Sequence, residues 1–160
     1  SDEQKTAISE FEILAPVSGE LVHLEKTNDP AFSSRAVGDG VAVVPQEGTV
    51  CAPVSGTVAA LFPTEHALGI MSDDSSAQVM LHIGIDTVKL EGKGFHALVA
   101  QGDHVDAGQP LVEVDFDAVR AAGFDPTVFV IVCERSENST LREHASGPVA
   151  VKEPVVWLSE

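Results

Sequence analysis

Residues 78–88 read QVMLHIGIDTV, with Val79, Leu81, Ile83 and Ile85 alternating against Gln78, Met80, His82 and Gly84. A period of two marks a strand with one apolar face, which puts His82 on the opposite, mixed face. Residues 64–71 (TEHALGIM) form a second such run carrying His66, and the Ser72-Asp73-Asp74-Ser75-Ser76 stretch between them has turn chemistry. A hairpin centred on Asp74 sets His66 directly opposite His82, at the roughly 4.5–5.5 Å Cβ separation of facing residues. Leu68, Ile70 and Met80 are expected to share that face.

The rest of the chain reads as further short strands separated by dense turns. Residues 13–24 read ILAPVSGELVHL and 50–62 read VCAPVSGTVAALF, so APVSG recurs at 15–19 and 52–56. The repeat points to two related β units, with Pro ending one strand and Gly opening the next in each copy. Turns are expected at 28–30, 38–40, 46–48 and 91–94, and short strands at 41–44, 95–99 and 111–114. Residues 115–122 (DFDAVRAA) are the only helix expected, capped by Asp115 or Asp117 and stopped by Gly123. Residues 128–133 are continuously apolar and β-branched, as in a central strand. Residues 135–140 read as polar linker, and 150–158 as a last strand that Pro154 confines to an edge. The fold class is all-β, an antiparallel sandwich or barrel with internal duplication and little helix.

Composition narrows the function. The 160 residues suit one domain with a real core, assigned to 13–160 behind a polar leader or linker at 1–12. A formal net charge of −16 argues against a nucleic-acid partner and suits docking onto a basic or neutral protein. No apolar run reaches the length of a membrane span. Cys51 and Cys133 are expected as reduced thiols in a cytoplasmic protein. His23, His96, His104 and His144 read as ordinary structural or surface histidines. No P-loop, G-x-S-x-G or dinucleotide fingerprint occurs, and Gly38-Asp39-Gly40 has no helix after it to make a phosphate cradle.

Two facing histidines admit two chemistries. In a phosphoryl carrier one neutral imidazole attacks phosphorus while its other nitrogen is held by a carbonyl, and the second imidazole stabilises the phosphoryl oxygens. In a zinc site the pair needs at least one more ligand, for which Asp86, near in sequence and expected on the same alternating face as His82, is a candidate. The absence of H-x-H and H-E-x-x-H disfavours a hydrolytic zinc enzyme.

ILAPVSGELV, the 31–40 segment, CAPVSGTVAALF, Thr64-Glu65-His66-Ala67 and HIGIDTV together resemble the glucose-type enzyme IIA of the bacterial phosphoenolpyruvate:sugar phosphotransferase system, from about residue 13 to 158. The resemblance implies a duplicated antiparallel β-sandwich (a duplicated hybrid motif) that acts as a phosphotransferase component. The domain would accept a phosphoryl group from the small carrier HPr and pass it to a cysteine of a IIB domain. It implies that His82 is phosphorylated through Nε2, that His66 steadies the phosphoryl group, and that Thr64 hydrogen-bonds the His66 ring. Asp29 and Asp86 match acidic positions that meet an HPr arginine. Phe32, Val37, Phe62 and Met80 match an apolar docking rim, with Met80 where Phe is common. Relatives that regulate metabolic enzymes or transporters use this face, where zinc can bind through His66, His82 and a partner's carboxylate. The location implied is cytoplasmic, or the cytoplasmic side of the inner membrane in a fused permease. Two alternatives are a lysostaphin-type zinc peptidase, whose ligand set lacks its H-x-H here, and a biotinyl or lipoyl carrier. The second is suggested by GDHVDAGQPL at 102–111, with Lys93 as the candidate attachment point.

Overall fold

A computed structural model describes residues 10–160. Among them are β1 (Glu10–Leu14), β2 (Gly19–His23), β3 (Asp39–Pro45), β4 (Thr49–Cys51), β5 (Gly56–Leu61), β6 (Ala67–Ser72) and β7 (Ala77–Ile83). They continue with β8 (Phe95–Ala97), β9 (His104–Val105), β10 (Pro110–Val114), β11 (Val128–Arg135), β12 (Thr140–Glu143), β13 (Gly147–Val149) and β14 (Pro154–Ser159). An eight-stranded antiparallel sheet runs β13-β2-β3-β11-β7-β6-β5-β9, and two three-stranded sheets run β1-β14-β12 and β4-β10-β8. The main core, with Ile13, Val43, Leu81, Leu111, Val130 and Val156, is the inward face of this sandwich.

The APVSG copies meet each other. Leu14 N–H donates to Pro53 O (2.9 Å), and Cys51 N–H donates to Pro16 O (2.7 Å). Ser18 Oγ accepts from Val151 N–H and Ser55 Oγ from Ala107 N–H. Those partners belong to a second repeat that sequence reasoning missed: VDAGQPLVEV at 105–114 and VAVKEPVVWL at 149–158, which share only two valines and the proline in register. Gln109 Oε1 accepts from Asp106 N–H just as Glu153 Oε1 accepts from Ala150 N–H, each at 3.0 Å. GDHVDAGQPL is therefore a structural repeat around β9 and β10. Lys93 lies outside it, in the turn between Gly92 and Gly94.

Several expectations are corrected. The β6–β7 hairpin pairs Ala67 with His82 and Leu68 with Leu81, one residue away from the expected register. Ser75 takes a left-handed φ of 59°, which moves the turn's centre past Asp74. Leu68 and Ile70 consequently face the core, away from Met80 and His82. The strand expected over 78–88 stops at Ile83, because Gly84 (φ 81°) and Asp86 (φ 61°) curl the chain into a 3-10 turn over Thr87–Leu90. Asp86 therefore does not share an alternating face with His82. The turn at 28–30 opens a second helix, α1 (Pro30–Ser33), with Asp29 accepting from Ala31 N–H. The helix expected at 115–122 is α2 (Phe116–Ala121), capped by Asp115. β11 runs on to Arg135 and β12 begins at Thr140, so residues 136–139 of the expected linker form the turn between them. Pro154 is the first residue of β14, where its missing N–H costs no ladder bond, and β14 is the middle strand of its sheet rather than an edge. Residues 10–12 of the expected leader belong to β1; residues 1–9 lie outside the described residues. Cys51 is buried and Cys133 half-buried, and both are free thiols.

Gly19 and Gly56 begin the equivalent strands β2 and β5, and neither has room for a side chain. A Cβ would lie 1.9 Å from Val44 O and 2.0 Å from Met71 O, respectively. Gly19→Ala and Gly56→Ala are each expected to destabilise by about 3 kcal/mol or more. Urea unfolding of the two variants should give losses matching within about 1 kcal/mol; a wider gap would mean the halves are not mechanically equivalent.

Candidate functional site

The outer face of the large sheet carries a second, smaller cluster of Leu24, Phe32, Ala42, Phe129 and Ile131, with Met80, Ile85 and Cys133 packed against it. His82 stands on this face, opposite Phe129 of β11 and Ala67 of β6. His66 precedes β6 in a bend where Glu65 adopts φ 63°. Its carbonyl still accepts from Ile83 N–H (2.8 Å), so its backbone is tied to the ladder although its side chain is free of strand alternation. The His66 and His82 rings lie 5.1 Å apart at 84°.

Each ring is anchored through Nδ1. His82 Nδ1 lies 2.8 Å from Gly84 O. A carbonyl only accepts, so Nδ1 carries the hydrogen and Nε2 keeps its lone pair in the neutral ring. His66 Nδ1 lies 2.7 Å from Thr64 Oγ1. Phe32 is tilted against His82 at 5.2 Å and stacked on Phe129 at 4.4 Å, and Phe62 meets His66 edge-on at 5.4 Å. Burial, reinforced by neighbouring His82, lowers His66 from 6.5 to about 4. Burial also lowers His82, opposed by its bond to Gly84 and by the negative fields of Asp29 and Asp86.

The surrounding residues divide into floor and rim. Phe32 is only 5 % exposed and forms part of the floor under His82. Val37 (38 % exposed) and Phe62 (48 %) are open to solvent, and Met80 is half-buried beside the smaller cluster. Asp29 caps α1, and Asp86 is exposed beyond Gly84. Val88, half exposed on the following 3-10 turn, was not singled out from the sequence, although it ends the same HIGIDTV motif. The segment bearing Asp29 and Phe32 is pinned by Arg35, which donates to Glu25, Asp39 and Glu143 at 2.9–3.2 Å.

Among the described residues no group of three or more His, Cys, Asp or Glu side chains is gathered as a metal site. The imidazoles supply two nitrogen ligands where zinc takes three or four from protein, so a zinc ion here needs carboxylate or other ligands from another molecule. The arrangement does provide one neutral, oriented nucleophilic nitrogen beside a second imidazole, in a partly dehydrated apolar setting.

Comparison with known proteins agrees with this chemistry. Residues 11–138 match the family model for the phosphoenolpyruvate-dependent sugar phosphotransferase system, EIIA 1. The glucose-specific EIICBA component of Streptococcus pneumoniae is 42% identical over 90% of this chain and 20% of its own length. The beta-glucoside-specific EIIBCA component of Bacillus subtilis is 42% identical over 92% of this chain and 24% of its own. The chain thus spans about a fifth to a quarter of the length of these relatives. The solved glucose permease IIA from Mycoplasma capricolum superposes with a TM-score of 0.85 at 34% identity, covering 93% of this chain and 96% of that one. With sheet topology, sequence match and structural match in agreement, the chain belongs to the EIIA family of the sugar phosphotransferase system.

Proposed function

We propose that His82 is the phosphoryl acceptor of this EIIA domain, charged by phospho-HPr and discharged to a cysteine of a sugar-specific IIB domain. The observation carrying this reading is the pair of rings 5.1 Å apart, each held through Nδ1 by a separate anchor. The His82 Nε2 lone pair attacks phosphorus in line with the nitrogen of the donor phosphohistidine. The new N–P bond forms as the old one breaks, and the old bond's electron pair returns to the donor imidazole. Positive charge left on the His82 ring is spread through Nδ1–H to the Gly84 carbonyl. Donation from the Thr64 hydroxyl to His66 Nδ1 leaves Nε2–H of His66 to bind a phosphoryl oxygen, where charge gathers during transfer. Onward transfer reverses the geometry, with a IIB thiolate as nucleophile and His82 as leaving group.

Asp29 and Asp86 supply carboxylates for a basic donor, while Val37, Phe62 and Met80 supply apolar contact over the Phe32 floor. No described helix is long and apolar enough to cross a membrane. The domain, residues 13–160 extended back to Glu10 by β1, would work in the cytoplasm or at the cytoplasmic face of a permease. A regulated enzyme or transporter that offers a carboxylate to this face would complete a zinc site with His66 and His82.

Transfer of labelled phosphate from phosphoenolpyruvate through enzyme I and HPr should give acid-labile, alkali-stable label on wild type and none on His82→Ala. His66→Gln should accept label but pass it to IIB at a rate lower by about 100-fold or more. Wild-type labelling of His82→Ala would overturn the assignment.

The low proton affinity of His66 has a stability consequence. Its folded value of about 4 lies below its unfolded value of 6.5, so the unfolded chain binds more protons between them. Stability therefore falls as pH drops from about 6.5 towards 4 and is fully present above 6.5. Thermal unfolding of His66→Gln should show a flatter decline across this window than wild type. Equal slopes would refute a neutral buried His66.

A further inference from the structure

The Gly84 carbonyl that orients His82 belongs to a loop held from outside. Gly84 N–H donates to Thr127 O (2.8 Å) and Ile85 N–H to Asp125 O (2.9 Å), so the peptide that bears that carbonyl and the one before it are both tied to residues 125–127. Asp125 in turn fixes its own segment. Its Oδ1 accepts from Thr127 N–H (2.9 Å) and from Thr127 Oγ1–H (2.6 Å), and its Oδ2 accepts from Asn28 Nδ2–H (3.3 Å). Thr127 is 5 % exposed, which limits competition from water. Burial raises the Asp125 carboxyl, but the hydrogen bonds from Thr127 and Asn28 outweigh it, and the group stays ionised. Asn28 adjoins Asp29, so one carboxylate ties the segment bearing Asp29 and Phe32 to the loop bearing Gly84 and Asp86. Gly84 itself cannot be replaced as a hinge: at φ 81°, a Cβ would lie 2.3 Å from Thr87 Cγ2 and 3.1 Å from Asp125 O.

We propose that Asp125 is a positioning residue for the phosphoryl-accepting histidine, acting through Thr127 and the Gly84 peptide to hold His82 in the Nδ1–H tautomer that leaves Nε2 free to attack. This rests on His82 being the acceptor. A neutral histidine without such a bond favours hydrogen on Nε2, the form with no nucleophile at the reacting atom. Holding the Gly84 carbonyl against His82 therefore decides whether the ring is reactive. Sequence reasoning did not single out Asp125 or Thr127, because they lie more than forty residues from His82 in a stretch without a motif.

The test is nitrogen NMR of the full chain labelled with 15N-histidine, reading the His82 tautomer without phosphoryl transfer, with His66 as internal control. In Asp125→Ala the Nε2–H share of His82 should rise about five- to tenfold, the scale of losing one well-placed hydrogen bond. The rate of labelling by phospho-HPr should fall along with it. Asp125→Asn, which keeps an acceptor for Thr127, should restore most of the wild-type ratio. Thr127→Val removes only the hydroxyl bond and should shift the ratio in the same direction by a smaller amount, giving a reading if Asp125→Ala does not fold. An unchanged His82 tautomer in a folded Asp125→Ala, or in Thr127→Val, overturns the proposal, as does a shift in Asp125→Asn as large as in Asp125→Ala. If His82 proves not to carry phosphate in wild type, the transfer experiment shows that independently of these spectra.

Discussion

The structure depends on two backbone hydrogen bonds in which the residue just before each APVSG copy donates to the proline of the other copy, Leu14 to Pro53 and Cys51 to Pro16. They make the halves of the molecule mutual supports. Each APVSG copy ends a strand in one small sheet, opens a strand in the large sheet and leans on the other copy at the crossing. The 105–114 and 149–158 repeats complete each half, so β4 pairs with β10 as β1 pairs with β14. The halves join in the large sheet at the β7–β11 ladder, where Leu81 faces Val130.

That pseudo-symmetry is broken on the outer face, and the site lies at the break. Where one half sets His82 against Phe129, the equivalent pair in the other half is Ile131 against Met80. The connection from β2 to β3 is long enough to lay Leu24 and Phe32 over the sheet, whereas that from β5 to β6 is a tight bend carrying Thr64 and His66. One insertion thus supplies the floor and a carboxylate, and the shorter connection supplies the second imidazole.

The alternation of Val79, Leu81 and Ile83 was legible because one face of β7 is buried in the core. The register was not, because it turns on Ser75 adopting a left-handed conformation that composition does not reveal. A one-residue slip would normally separate a pair of residues expected to face each other. His66 and His82 stay together because the His66 side chain, set by the bend at Glu65, is free of strand alternation. Their proximity was therefore read correctly from an incorrect geometry. Pro154 misled because its effect depends on whether it starts a strand or interrupts one. Phe32 came from family likeness, and no pattern in the sequence revealed that it would be buried between the His82 and Phe129 rings. Asp125 was invisible because its influence passes through backbone groups, which any residue type carries.

Glu10 at the start of β1 lies opposite Ser159 near the end of β14, in the layer across the core from His82. The start of β1 and the end of β14 are thus neighbours, in a sheet separate from the one that bears His82. Such a unit can be spliced into a longer polypeptide at either end, or circularly permuted, without re-routing a strand beneath the histidines.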